Sequence, residues 1–217
     1  MADFATLREA MVARQIEARG IRDPRLLEAM REVPREAFVP GELAPFAYDD
    51  SPLPIEAGQT ISQPYIVALM IEAAGIAPGA KVLEIGAGSG YAAAVIGRIA
   101  DAVIAVERHG ALARLAQERM DRLGYGNVRI VHGDGSAGLP EEAPFDAILA
   151  AASGSHVPDA LKRQLAMNGV LVMPVGQPAS IQHLVKVVRT GEDSFRHEDL
   201  GAVRFVPLIG AEGWPGA

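Results

Sequence analysis

Cysteine is absent from the 217-residue chain. Without a thiol there is no disulfide framework, no thiolate metal site and no cysteine nucleophile, and the chain fits a reducing compartment. Aromatic residues make up only 5% and tryptophan occurs once. A basic excess is also missing: the formal net charge is -7, and Lys and Arg are dispersed, usually with an acid nearby. Proteins that hold nucleic acid draw much of their affinity from a basic patch, so no nucleic-acid partner is expected. The apolar runs are of strand length, short of the ~20 residues that a membrane span needs, and no membrane partner is expected. The start, Met1-Ala2-Asp3-Phe4, soon reaches Arg8, Glu9, Arg14 and Glu17 without an apolar stretch behind a basic one. That argues against a secretory signal and for a cytoplasmic address.

Hydrophobic residues make up 49% of the chain and charged residues 22%, a globular composition for one domain with an extension. Leu7, Met11, Val12 and Ile16 predict a helix over residues 3–20, with Gly20 as its stop. A second helix follows Asp23-Pro24, an N-cap and a first-position proline. Residues 34–64 are proline-rich and aperiodic, an ordered but irregular segment of a length that usually carries function. An apolar helix from Tyr65 to about Ala74 comes next.

Strands then alternate with helices. The strands are expected at Lys81–Ile85, Ala102–Glu107, Val128–Val131, Phe145–Ala150 and Val170–Pro174. The helices are expected at Tyr91–Ala100, Ala111–Leu123 and Pro158–Leu165. Such alternation implies βαβ units, a mostly parallel sheet and a Rossmann-like α/β fold with helices on both faces. His183–Val188 and Val203–Ile209 read as an antiparallel pair at the sheet's edge. The expected division is residues 1–64 as a capping extension and 65–217 as the core.

The central motif is Val82-Leu83-Glu84-Ile85-Gly86-Ala87-Gly88-Ser89-Gly90, a buried strand running into a glycine turn and a helix. Glycines let the backbone turn tightly and a ligand approach it. Alone, the motif could be a turn without a ligand. Tyr91 stands where a dinucleotide fingerprint has its third glycine. Glu84 lies inside the strand, where a pyrophosphate has no use for an anion but the methionine ammonium of S-adenosylmethionine does. Glu107 ends the next strand, placed to accept from both ribose hydroxyls; by itself it could be an exposed strand-end charge. Asp134 and Gly135 follow the third strand, where Asp134 could meet the adenine amino group or merely form an Asx turn. The expected cofactor is S-adenosylmethionine, held by Glu84, Gly86, Ala87, Gly88, Ser89, Gly90, Glu107, Asp134 and Gly135. An NAD-linked oxidoreductase is disfavoured by Tyr91 and Glu84.

The acceptor is narrowed by further absences. Methylation of a base's exocyclic amine typically uses Asn- or Asp-Pro-Pro-aromatic after the fourth strand, where this chain has Ala150-Ala151-Ala152-Ser153. Pyrimidine C5 methylation needs a cysteine. The five histidines are dispersed, and no metal is expected. What remains is Gly58-Gln59-Thr60-Ile61-Ser62-Gln63-Pro64, a loop with free donors; on its own it could be a helix start capped by Ser62 or Thr60.

In these features the chain resembles the protein-L-isoaspartate O-methyltransferase family over nearly its whole length. The matching residues include Val33-Pro34-Arg35, Phe38-Val39-Pro40, Ala47-Tyr48-Asp49-Asp50, Thr60-Ile61-Ser62-Gln63-Pro64, Gly133-Asp134-Gly135 and Val203-Arg204-Phe205-Val206-Pro207-Leu208. The resemblance implies methyl transfer from S-adenosylmethionine, leaving S-adenosylhomocysteine, to the free carboxylate of L-isoaspartyl residues in damaged proteins and peptides, and a monomer. It implies Ser62 as the catalytic residue and Thr60, Ile61 and Ser62 as the substrate-binding segment. The ester then cyclises unaided to a succinimide, whose hydrolysis returns some normal aspartate. Ser153-Gly154-Ser155-His156 departs from the family's Ala-Ala-Ala-Pro pattern, and a more flexible loop is expected there. The tail Pro215-Gly216-Ala217 is expected to lack order. A small-molecule O-methyltransferase and a non-catalytic cofactor-binding module are the rival readings.

Overall fold

The computed structural model describes residues 3–215; Gly216 and Ala217 of the expected disordered tail lie outside them. Helix α1 runs Phe4–Met11, capped by Asp3, whose carboxylate accepts from the Ala5 and Thr6 amides. The chain stays helical to Arg19 but widens into a π-turn at Val12–Ile16 and tightens into a 3-10 turn at Glu17–Arg19. The single helix expected over residues 3–20 is therefore three helical forms in series, ended at Gly20 with φ +104°. Helix α2, Pro24–Glu32, starts as its residues dictate: the Asp23 side chain accepts from the Arg25 amide, and Pro24 holds the first position.

Residues 34–61 are ordered and mostly irregular, with 3-10 turns at Arg35–Phe38, Gly41–Phe46 and Glu56–Gly58. One antiparallel pair, β1 (Leu53–Pro54) and β2 (Thr60–Ile61), sets Leu53 against Ile61. Helix α3, Pro64–Ala74, follows with Gln63 as its N-cap residue and no side-chain cap. Neither Ser62 nor Thr60 is spent on capping.

The main sheet then builds from β3 (Lys81–Ile85), α4 (Tyr91–Gly97), β4 (Ala102–Glu107), α5 (Gly110–Leu123), β5 (Val128–His132), β6 (Phe145–Ala150), α6 (Asp159–Arg163), β7 (Leu165–Val175), β8 (Gln182–Arg189) and β9 (Phe195–Val203). The order across the sheet is β5-β4-β3-β6-β7-β8-β9. The pairs from β5 to β7 are parallel; β7 with β8 and β8 with β9 are antiparallel. Strand β3 thus lies where the winding reverses, between β4 and β6. Ligands of open α/β sheets bind beyond the carboxyl ends of the strands at such a point.

Alternation along β3 divides the core. Val82 belongs to one buried cluster, shared with Met11, Ile16 and Met30 of the N-terminal segment and with residues of α3, α4 and α5. Leu83 and Ile85 belong to another, with Ile148, Leu161 of α6 and Leu208. The N-terminal segment and the sheet are thereby one hydrophobic unit.

Two expectations need correction at the antiparallel end. The last strand is Phe195–Val203, and beyond it residues 204–209 make only isolated bridges, Pro207 with Ser153 and Ile209 with Trp214. Strand β9 is an edge, exposed along most of its length, so it carries Arg196, His197, Glu198 and Asp199 and gives no apolar alternation to detect. Strand β7 begins at Leu165, ahead of the expected Val170. Asn168 takes a left-handed φ of +65° inside it, and the register to β6 shifts between Phe145 and Ala147. That irregularity hides the strand's first half.

Candidate functional site

One cleft of about 880 Å³ opens beyond the carboxyl ends of β3 and β4. It is lined by the segment Gln59–Gln63, by Glu84 and the glycine turn through Ser89, by Glu107, by Gly135, and by Val203–Ile209. Of the expected cofactor and substrate residues, Thr60, Ile61, Ser62, Glu84, Gly86, Ala87, Gly88, Ser89, Glu107 and Gly135 all line it, while Gly90 and Asp134 do not.

The glycine turn follows from its residue types. Gly86 and Gly90 sit at φ +83° and +89°, in the left-handed region that side chains avoid. A Cβ on Gly90 would come within 2.9 Å of the Met120 methyl carbon. Gly90 thus serves the turn and its packing on α5. The Gly86 and Ala87 amides donate to the Val106 carbonyl at 2.8 and 3.1 Å, binding the turn to β4.

Glu84 and Glu107 are 2% and 4% exposed, so neither is a strand-end surface charge. Glu107 Oε2 accepts from the Gly88 amide and Oε1 from the His109 amide, both at 2.9 Å. Each carboxylate oxygen has a second lone pair for another donor. Glu84 is different: its Oε2 is buried with no hydrogen-bond partner. Burial, with the neighbouring Glu107 charge, pushes its carboxyl up to about 8. An orphaned carboxylate oxygen at the back of a cleft fits a ligand that brings a cation with hydrogens to donate.

Asp134 behaves as the Asx alternative foresees. Its Oδ1 accepts from the Ser136 amide at 2.9 Å, and Oδ2 accepts from the Ala211 amide at 2.7 Å. Those bonds hold its carboxyl below the ordinary aspartate value, against the opposing effect of burial. The side chain anchors the C-terminal segment and stands outside the lining.

The segment around Ser62 is fixed from below. Arg35, fully buried, donates through Nε to the Ala47 carbonyl at 2.7 Å and through Nη2 to the Ser62 carbonyl at 2.8 Å. Gln63 donates to the Asp50 carbonyl at 3.2 Å. Arg119, from α5, ties the glycine turn to the irregular segment from outside the lining, donating to the Ser89 carbonyl at 3.3 Å and pairing with Glu56 at 3.2 Å. Both arginines lie in matching or periodic stretches of sequence, but only the tertiary structure shows what they hold.

Sequence reasoning also missed the wall formed by Val203–Ile209. The buried Gln182 side chain mimics a neighbouring strand there, accepting from the Phe205 amide at 2.7 Å and donating to its carbonyl at 3.1 Å. Ser153 completes the support: its amide donates to the Val206 carbonyl at 2.8 Å, and its carbonyl accepts from the Leu208 amide and Trp214 Nε1. Pro207 gave no warning, since proline is tolerated on the edge strand that this segment was expected to form. The Ser153–His156 loop is correspondingly not slack at its start: Ser153 is fully buried, and Gly154 exchanges bonds with Pro174 and Gly176.

Among the described residues no group of three or more His, Asp or Glu is arranged to hold a metal ion, and no helix is long and apolar enough to cross a membrane.

Comparison with known proteins bears on the same cleft. The family model for protein-L-isoaspartate(D-aspartate) O-methyltransferase matches residues 6–213. The protein-L-isoaspartate O-methyltransferase 1 of Rhodopseudomonas palustris (strain HaA2) is 61% identical over 97% of this chain and 86% of its own. The Methylorubrum populi protein-L-isoaspartate O-methyltransferase is 57% identical over the full length of both. A solved protein-L-isoaspartate O-methyltransferase superposes with a TM-score of 0.85 at 30% identity, covering 95% of this chain and 67% of that one. A Plasmodium falciparum chain named for the same activity, with S-adenosyl-L-homocysteine bound, gives 0.80 at 27% identity, covering 93% and 98%. The chain belongs to the protein-L-isoaspartate(D-aspartate) O-methyltransferase family.

Proposed function

We propose that this cleft carries the family's reaction, methyl transfer from S-adenosylmethionine to the free carboxylate of L-isoaspartyl residues, with Ser62 aiming the acceptor. The observation that carries the assignment is the meeting, in one cleft, of the Thr60–Gln63 segment with the glycine turn and its two buried acids. S-Adenosylmethionine supplies an electrophilic methyl group on a sulfonium. Glu84 is assigned to its ammonium, Glu107 to the ribose hydroxyls, and Gly86–Ser89 to close backbone approach. Gly90 is assigned to the shape of the turn. Gly135 stays in the cofactor set, with Asp134 behind it shaping the loop.

An acceptor carboxylate with a pKa near ~3.9 is already ionised at pH 7, so no general base is required. The chain's task is to hold a carboxylate at a fixed approach and keep water away, because water stabilises the separated charges that the transfer neutralises. Ser62, half-buried, can donate its hydroxyl to that carboxylate, and the Thr60 and Ile61 backbone borders it. Isoaspartate differs from aspartate in main-chain path, so recognition falls to backbone and to the Val203–Ile209 wall. The resulting ester cyclises to a succinimide without the protein. The same proposal has the chain acting as a monomer in the cytoplasm, in keeping with its lack of cysteine.

Two peptides identical except for L-isoaspartate or L-aspartate test the activity. Base-labile label from S-adenosylmethionine is expected on the isoaspartyl peptide alone. Cofactor binding with no transfer to either peptide would turn the assignment toward a small-molecule acceptor.

Glu107→Ala is expected to weaken cofactor binding by about tenfold or more, since each hydrogen bond to a charged group contributes about 1.5–3 kcal/mol. It also frees the Gly88 and His109 amides. Unchanged affinity in titration calorimetry would remove Glu107 from the cofactor site.

A further inference from the structure

Arg35 is fully buried, yet no carboxylate lies within salt-bridge range of it among the described residues. Its two hydrogen bonds both go to backbone carbonyls, Ala47 and Ser62. The guanidinium stacks over the Tyr91 ring, 4.7 Å from its centroid. Its third nitrogen, Nη1, is buried without a partner, as is the Tyr91 hydroxyl. Burial lowers the guanidinium from its ordinary value, opposed by Tyr91 and Tyr48. Arg119, the other buried arginine, has Glu56 as its counter-charge; among the described residues Arg35 has none.

An uncompensated charge in the core is unfavourable, and a well-packed apolar side chain of the same volume would do as well or better for stability alone. What an apolar side chain lacks is the planar fork, which fixes two acceptors at set angles. The fork's acceptors lie at separate points of the irregular segment, and one of them is the carbonyl of Ser62. Its stacking partner, Tyr91, opens α4 directly after the glycine turn and lines the cleft. Arg35 therefore touches the segment that presents the acceptor and the helix that begins at the cofactor loop, without lining the cleft itself.

We infer that Arg35 is the positioning residue of this methyl transfer, setting the Ser62 main chain against the glycine-turn helix so that acceptor and methyl donor meet in line. The inference rests on the activity and the Ser62 role proposed above. In-line transfer is sensitive to placement at the ångström level. Lysine keeps the charge and nearly the stem, but its ammonium cannot span both carbonyls in one plane. Methionine keeps the stem and removes both bonds.

The test compares Arg35→Lys and Arg35→Met with the intact protein, each alone and combined with Ser62→Ala. The readouts are kcat and KM on an isoaspartyl peptide and the Kd for S-adenosylhomocysteine. Expected are a kcat lower by about tenfold or more in both variants, a Kd within about twofold of the parent, and little further loss when Ser62→Ala is added. A fall in S-adenosylhomocysteine affinity parallel to kcat, or full additivity with Ser62→Ala, would overturn the inference. Should the methionine variant fail to fold, the lysine variant decides alone, its fold checked by circular dichroism. An intact protein that binds S-adenosylhomocysteine but labels no isoaspartyl peptide would overturn the proposed activity instead, and with it the acceptor that Arg35 is said to place.

Discussion

Ser62→Ala is expected to lower turnover on an isoaspartyl peptide by about ten- to a hundredfold while leaving S-adenosylhomocysteine affinity within about twofold. The magnitude follows from one hydrogen bond to a charged acceptor, about 1.5–3 kcal/mol, at a tenfold change per 1.4 kcal/mol. The selectivity follows from where Ser62 sits. It is held through its carbonyl by Arg35, and α3 starts at Pro64, with Gln63 as its N-cap residue, without borrowing the Ser62 side chain. The hydroxyl is left to the cleft, so removing it disturbs neither a cap nor the glycine turn. A nucleophilic serine would need a base within hydrogen-bond reach, and the residues around Ser62 offer carbonyls and amides. Single-turnover kinetics are therefore expected to show no methyl ether (O-methylserine) at Ser62 on the protein. Equal losses of cofactor affinity and turnover in Ser62→Ala would remove Ser62 from the acceptor's side of the site.

Much of this site is legible without coordinates, and the reason is local. A buried strand, a glycine turn and a helix start are encoded within a few residues, so Lys81–Ile85 and Ala102–Glu107 are found to the residue. Glu84 stands out because an acid inside an apolar strand is anomalous by itself. Asp134 was the opposite case. An Asp-Gly pair supports a ligand contact and an Asx turn equally, and the carboxylate's second partner, the Ala211 amide, comes from the far end of the chain. Arg35, Arg119 and Gln182 were invisible as functional residues for the same reason. Each acts on backbone carbonyls or amides that only tertiary packing brings near, and no periodicity marks such a partner. Strand β9 was missed because a solvated edge is charged on purpose. Its apolar neighbour Val203–Ile209, which looked more like a strand, is instead pinned by Gln182 and Ser153 beside the cleft.

Cofactor binding is expected to release a proton, and its affinity to rise with pH until about 8. In the free protein Glu84 is buried beside Glu107 with one oxygen unpartnered, and its carboxyl is pushed up from 4.5 to about 8. At pH 7 it is mostly protonated in the fold but ionised in the unfolded chain. The folded state thus holds the extra proton between pH 4.5 and 8. Glu84's stabilising contribution is complete below that window and is lost as pH climbs through it. An ammonium brought to Glu84 favours the carboxylate, so binding drives off up to one proton and affinity changes by as much as about tenfold per pH unit. Arg108 and His109 line the same cleft and Glu107 faces Glu84 from β4, so the source of the proton has to be separated from theirs. Titration calorimetry with S-adenosylhomocysteine at pH 6.5, in buffers of different ionisation enthalpy, does this. The parent and His109→Gln are expected to show proton release, and Glu84→Gln to lose it and bind at least about tenfold more weakly. A binding enthalpy independent of buffer in the parent would place the charge on Glu84 before the cofactor arrives and withdraw its proton-coupled role.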